Sequence, residues 1–380
     1  MRSPSMSTFP AKGSVPLPSH TIAPSIKRRI VSSAGKWFVP PLQGEFERSS
    51  LVEEALINRR QFIAAGSAAG ALGLAGGWPG TASAQAQFSI ATGTTGAVYY
   101  PLGGAMANVL SKKVSGWAVT AEATAGSVAN MHMIRDGKAQ MALTQCDTAY
   151  DAIKGLDKFK DKPVDSRTLC VVYPNLVHFV TMDGTGINKL SDIKGKRIST
   201  ASPVSGSEVM ALRILDELGL KVSDIKRERL APAESTNAMK DGKLDGYFFN
   251  GGPPVAAITD LAATQGIKIK LVPTADLVPD LNKKYGPVFA KSQINPKAYP
   301  NQDAAVPVIA IWNILVVPAS MKDDQAYTIV KMLWDNHADL VATHKAAVDM
   351  TPENQKEANS SVPFHPGALK FFAEKGIKLS

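Results

Sequence analysis

The chain has 380 residues, of which 44% are hydrophobic and 20% charged, and it carries a formal net charge of +9. That much apolar material fills one large or two medium cores and excludes a chain too polar to fold. The one apolar stretch near membrane length, 62–77, is dominated by Ala and Gly and precedes the bulk of the sequence, which excludes a polytopic membrane bundle.

Residues 1–57 are rich in Ser and Pro and show neither helical nor strand periodicity, so they read as a disordered extension or a start codon placed too early. The Lys27-Arg28-Arg29 cluster within them reads as a solvated tail. Residues 58–86 have the three parts of a twin-arginine export signal: a basic start at Arg59-Arg60, a mildly apolar centre, and Ala82-Ser83-Ala84 where signal peptidase needs small residues. Gly66, Gly70, Gly73, Gly76 and Gly77 would make a poor buried helix. Cleavage is expected after Ala84 or Ala86, into the periplasm, and no Cys follows to take a lipid anchor. The first 84 residues hold nine of the basic and four of the acidic side chains, leaving 33 against 29, a net charge of about +4. Nucleic acid is not an expected partner at that charge. Cys146 and Cys170 read as buried thiols, although an oxidising compartment permits a disulfide.

From Phe88 onward short apolar runs alternate with helical patterns, which predicts an α/β fold with parallel sheet. Strands are expected at 88–91, 118–123, 141–144, 169–173, 177–182, 197–200, 226–230, 247–250, 268–272 and 308–317, and helices at 102–112, 205–218 and 324–336. Gly126-Ser127, Asn130 and Arg135-Asp136-Gly137-Lys138 are echoed by Glu234-Ser235, Asn237 and Lys240-Asp241-Gly242-Lys243, each a helix closed by a Gly turn before a strand. Two similar lobes follow, with long apolar strands at 169–182, broken at Pro174, and 306–317 crossing between them. This makes lobe I discontinuous, 87–178 plus 310–380, and lobe II 179–309, with a ligand site in the cleft.

The first strand runs into Thr92-Gly93-Thr94-Thr95-Gly96-Ala97-Val98-Tyr99-Tyr100-Pro101 and then a helix. Glycines there allow close backbone approach, hydroxyls donate, and the helix start offers free N–H groups and a partial positive charge, which suits an anion. The spacing is not a nucleotide fingerprint, and a Gly-rich turn without ligand is the competing reading. Gly126-Ser127, Gln145-Cys146-Asp147, Ser202 to Ser207 and Asn250-Gly251-Gly252-Pro253 occupy the same strand-to-helix position. None carries Lys or Arg, so a carboxylate there must be held by N–H groups, hydroxyls and amides. The candidate ligand residues are therefore Thr92, Gly93, Thr94, Thr95, Gly96, Tyr99, Tyr100, Gly126, Ser127, Gln145, Asp147, His178, Ser205, Gly206, Ser207, Asn250 and Gly252.

Several of these have a structural alternative. Asp147 would meet an amino group or cap its helix. One of Tyr99 and Tyr100 should stack on ligand while the other packs in the lobe. His178 is a hinge, ligand or structural histidine, His365 between prolines reads as structural, and Trp312 reads as core or cleft wall. A hydrolase using Ser205 or Ser207 with His178 as base is the enzymatic alternative, but Ser205-Gly206-Ser207 is not a G-x-S-x-G elbow, and no carboxylate is placed to orient the His. No His pair has zinc-ligand spacing, so neither metal nor other cofactor is expected, and the chain reads as a non-enzyme.

The stretches 92–103 (TGTTGAVYYPLG), 124–130 (TAGSVAN), 144–147 (TQCD), 173–178 (YPNLVH), 202–208 (SPVSGSE), 241–253 and 363–367 (PFHPG) together resemble the TAXI class of solute receptors that serve TRAP transporters. The resemblance implies a type II-like, two-lobed periplasmic binding protein, working as a monomer, that captures a small organic anion or amino acid between its lobes. Glutamate and 2-oxoglutarate-like compounds are the class's usual ligands, and the permease subunits of an ion-coupled transporter would be the partner. A receptor that presents its closed form to a sensor kinase would have the same cleft. The chain departs from the class at Asn175, where Tyr-Pro-Glu is usual, and at Cys146, where Ser or Asn is usual.

Overall fold

The computed structural model describes residues 85–379, so the expected extension at 1–57 and the twin-arginine segment up to Ala84 lie outside the described residues. In the first half, strand and helix alternate as β1 (Ala86–Ala91), α1 (Tyr99–Lys113), β2 (Trp117–Glu122), α2 (Ser127–Arg135), β3 (Met141–Gln145) and α3 (Cys146–Lys154), and then the long β4 (Ser166–Met182) follows. The pattern repeats as β5 (Arg197–Ser199), α4 (Gly206–Glu217), β6 (Lys226–Glu228), α5 (Pro232–Lys240), β7 (Gly246–Gly251) and α6 (Ala256–Ala263). After β8 (Ile269–Leu271), α7 (Val278–Tyr285) and β9 (Ala290–Ile294), the second long strand β10 (Val306–Pro318) leads back to α8 (Asp323–Asp335), α9 (His337–Thr343), α10 (Glu357–Ser360) and α11 (Pro366–Glu374).

The strands form one mixed sheet in the order β2-β1-β3-β10-β4-β7-β5-β6, with β8 beside β4 and β9 beside β10. β1 runs parallel to β2 and β3, and β5 parallel to β6 and β7. β10 is antiparallel to β3 and β4, and β4 is antiparallel to β7. β3 and β7 are buried along their whole length, which is why their sequences lack the alternation of a half-solvated strand. The echo in the sequence has a structural counterpart: α2 and α5 each end at a left-handed glycine, Gly137 (φ 68°) and Gly242 (φ 66°), and feed the equivalent strands β3 and β7.

Seventeen residues in β4 span about 55 Å at the usual rise, more than one lobe needs, so the strand passes from one lobe into the other. The buried side chains divide between Tyr173 and Leu176 and between Ile311 and Ile314, so 176–178 and 310–311 pack with the second lobe rather than with the first, where the sequence boundaries place them. Those from 88 to 173 and from 314 to 372 pack together, joined from the second lobe only by Val209 of α4. Those between Leu176 and Ile311 form two further clusters on the faces of the second lobe. The result is a mixed α/β, two-lobed architecture linked by two crossing strands.

Three local expectations need correction. Pro174 does not break the crossing strand: it pairs with Trp312 beside a register shift between Asn313 and Ile314, so its missing N–H falls where the ladder is already irregular. Helix α1 starts at Tyr99 rather than 102, because Pro101 lies in the first turn, where no N–H is required. Strand β9 was not expected, since Lys291, Ser292 and Gln293 leave it polar and exposed on the edge of β10.

Both cysteines are free buried thiols. His365 is structural: its Nδ1 accepts from Gly367 N–H at the start of α11, and its Nε2 bonds the Met321 carbonyl. Trp312 packs against the first core and does not face the cleft.

Candidate functional site

Five helices begin at one place. α1, α2 and α3 of the first lobe and α4 and α5 of the second all start at the carboxyl ends of their lobes' strands, and residues from each start line a single cavity between the lobes. Each start leaves N–H groups without an intrahelical partner and adds a partial positive charge. The cavity is narrow, with a volume of about 40 Å³. No Lys, Arg, His, Asp or Glu is among the residues that line it.

The lining is instead built from amides and hydroxyls. Gln145, the residue before α3, accepts at Oε1 from Asn250 Nδ2 at 2.9 Å and from Asn175 Nδ2 at 3.2 Å, so one amide of the first lobe gathers one from the crossing strand and one from β7. Its own backbone N–H donates to Ser127 Oγ at 3.1 Å. Ser207 Oγ accepts from Asn250 N–H at 3.0 Å. Tyr99 hydroxyl donates to Asn313 Oδ1 and lies 3.4 Å from Ser127 Oγ, and burial holds this phenol far above the usual tyrosine range. Two oxygens, Asn175 Oδ1 and Asn250 Oδ1, are buried and accept nothing from the described residues.

The lobes touch closely around this network. Gly206 opens α4 with its Cα against Gln145: a methyl group there would overlap Nε2 and sit 2.9 Å from both Gln145 Cδ and Ser127 Oγ. Gly126 needs its φ of 117° to turn the chain into α2, with Ser205 just beyond. A backbone bond joins the lobes, Ala129 N–H to Val204 carbonyl at 3.0 Å.

Beside the cavity, Arg213 of α4 reaches across to α3 and donates to Asp147 at 2.8 Å and Asp151 at 2.5 Å, with its guanidinium 4.7 Å from the centre of the Tyr285 ring. All three ionic groups are buried. One cation is shared between two carboxylates in a water-poor place, so burial outweighs the guanidinium and pushes Asp151 up to about 6. Asp147 is also raised by burial. On the far side Glu208 pairs with Arg227 and Arg229, each at 2.6 Å, and accepts from Val204 N–H at 3.0 Å, which fixes the loop before α4.

Of the residues proposed from sequence, the cavity brings together Gly93, Thr94, Tyr99, Gly126, Ser127, Gln145, Ser205, Gly206, Ser207 and Asn250. The others lie elsewhere. Thr92 is buried and bonds the Glu122 carbonyl, Thr95 and Tyr100 face outward, and Gly96 abuts Ala233. Tyr100 therefore packs in neither lobe. Asp147 meets Arg213 instead of a ligand amino group, and Gly252 packs against Tyr173 and Ala346. His178 is sealed in the second lobe, where Nε2 bonds Tyr299 hydroxyl and Nδ1 the Leu176 carbonyl, each at 2.8 Å, and burial lowers its pKa to about 4. It is no partner for Ser205, whose hydroxyl donates to the Ser202 carbonyl and accepts from Glu208 N–H as the cap of α4, so the serine hydrolase reading loses its base. Sequence reasoning missed Asn175, Ser202, Tyr173, Phe249 and Pro232 as lining residues. Ser202 sits in the same loop as Ser205 and was within reach of the loop reading, whereas Asn175 lies in mid-strand, and its one signal was its departure from the Tyr-Pro-Glu of the class.

Among the described residues no group of His, Cys, Asp and Glu is placed to hold a metal ion, and no helix is long and apolar enough to cross a membrane. Solved structures similar to this chain include MatC from Rhodopseudomonas palustris with bound malate, at 14% identity over 77% of this chain and 96% of that one, with a TM-score of 0.45. A ligand-binding component of an ABC-type import system from Staphylococcus aureus is 12% identical over 77% and 93%, with a TM-score of 0.41. The periplasmic aliphatic sulphonate binding protein of Escherichia coli is 13% identical over 77% and 89%, with a TM-score of 0.37. The profile of the NMT1-like family matches residues 90–376. With about three quarters of its length inside that match, the chain belongs to the NMT1-like family.

Proposed function

We propose that this protein is an extracytoplasmic solute receptor that captures a small organic anion or amino acid, of the glutamate or 2-oxoglutarate kind, between its lobes and hands it to a TRAP-type ion-coupled permease. The observation that carries the reading is the convergence of five helix starts on a cavity with no charged side chain in its lining. Such a place favours negative charge through N–H groups and helix dipoles alone. Capture would work by closure: ligand bridges the lobes, the crossing strands β4 and β10 flex, and the permease recognises the closed form. Export supplies the compartment, and a first strand that starts at Ala86 fits cleavage after Ala84 better than after Ala86.

The test is a thermal-shift screen against dicarboxylates, oxo-acids and amino acids, followed by calorimetry on the class that raises the midpoint. One-to-one binding with the compound recovered unaltered is the expected result. A compound consumed in the cell, or no response from any class, overturns the reading.

A further inference from the structure

The polarity of the cavity narrows the ligand beyond an anion. Asn175 and Asn250 both spend their Nδ2 groups on Gln145 Oε1, which turns each amide so that its Oδ1 is left free, and both oxygens are buried without a donor. Burying an acceptor unpaired is costly, so a compound that fills this space gains by presenting a donor to it. An ammonium and a hydroxyl both donate, but the surroundings separate them. An ammonium is a full cation, and here it would be buried among five helix starts, each partially positive, with no carboxylate in the lining to pair with. Asp147, the acidic residue in the first turn of α3, is already committed to Arg213. A hydroxyl carries no charge and pays no such cost. An oxo group offers only lone pairs, which would face the lone pairs of the two amides.

We propose that the ligand is a hydroxycarboxylate: its carboxylate is held at the helix starts and its hydroxyl donates to Asn175 Oδ1 or Asn250 Oδ1. The inference rests on the receptor reading above and, for the same site, selects the hydroxy acid over the amino and oxo acids of that reading. A carbon skeleton with two hydroxyls would use both amide oxygens.

The test compares compounds of one skeleton that differ at a single carbon, with glycerate added as the two-hydroxyl case. Calorimetry on the protein would measure glutarate, 2-hydroxyglutarate, 2-oxoglutarate and glutamate, and propionate, lactate, glycerate, pyruvate and alanine. Within at least one set the hydroxy acid should bind about tenfold or more tighter than its unsubstituted, oxo and amino counterparts. The second measurement is Asn175→Asp and Asn250→Asp, which supply the missing negative charge and should narrow or reverse the preference for hydroxyl over ammonium. Equal or tighter binding of the amino or oxo acid by the unsubstituted protein overturns this inference and leaves the receptor reading standing. Failure of every compound in both sets to bind overturns both.

Discussion

Replacing Arg213 by methionine keeps the length of the side chain and removes its charge. In the closed arrangement this leaves Asp147 and Asp151, both buried, with no cation. Removing one partner from a buried ion pair costs about 3 to 5 kcal/mol. Proton uptake by Asp151, already raised to about 6, caps the loss, so the lower end of that range applies near neutral pH. The two carboxylates sit on α3 of the first lobe and Arg213 on α4 of the second, so the pairs exist only while the lobes are together. The cost therefore falls on closure, and about 3 kcal/mol corresponds to roughly a hundredfold weaker ligand binding. Calorimetry with whichever compound raises the melting midpoint measures this, alongside the melting midpoint of the ligand-free variant. An affinity within about threefold of the unsubstituted protein refutes the reasoning. So does a ligand-free midpoint that falls as far as the liganded one, because the ion pairs would then hold the fold and not the closure.

The same site gives a pH dependence with a definite sign. Asp151 stands at about 6 in this closed arrangement, and where the lobes part it is expected to return toward 3.8, so closure takes up a proton. That contribution is full below about pH 4 and lost as pH rises through 6; affinity should be up to about tenfold tighter at pH 5 than at pH 7, and Asp151→Asn should flatten that profile. Gly206→Ala places a methyl group onto Gln145 and against Ser127 Oγ, so it should weaken binding more than about tenfold while the ligand-free midpoint moves little; unchanged affinity would mean the lobes do not meet there in the bound form. Thr94→Ala, Gln145→Ala and Ser207→Ala should each weaken binding with the fold intact, Gln145 most because it orients two other amides, and unchanged calorimetric affinity in all three would sink the site assignment.

What the sequence disclosed and what it hid divide along one physical line. The loops around Gly93, Gly126 and Ser205 were readable because a turn from strand to helix is a local event with its own residue chemistry, and those loops do meet in the cavity. Arg213 was not readable, since nothing in α4 marks which of its charges finds a partner 62 and 66 residues earlier in another lobe. Asp147 was visible, but its partner decided its role, and that partner was out of sight. His178 had the position of a ligand contact in the sequence; its burial under Tyr299, a residue 121 positions away, makes it part of the second lobe's interior. Asn175 was visible only as a departure from the Tyr-Pro-Glu of the class it resembles; its place in the cavity depends on the approach of Gln145 and Asn250.

The route of β10 has a consequence for how the molecule is made. Strand β3 is hydrogen-bonded to β1 on one side and to β10 on the other, and β10 begins more than 160 residues after β3 ends. Until the ribosome has passed Pro318, the first lobe exists as a sheet with a bare apolar edge and a core still lacking α8 and α11. The inserted second lobe also takes its last strands, β9 and the near half of β10, from this late stretch. Assembly thus waits on the final quarter of the chain, and pairing over so long a separation is intrinsically slow. A chain cut short before residue 306 would leave β3 open on the side that β10 covers, a template for pairing with another copy.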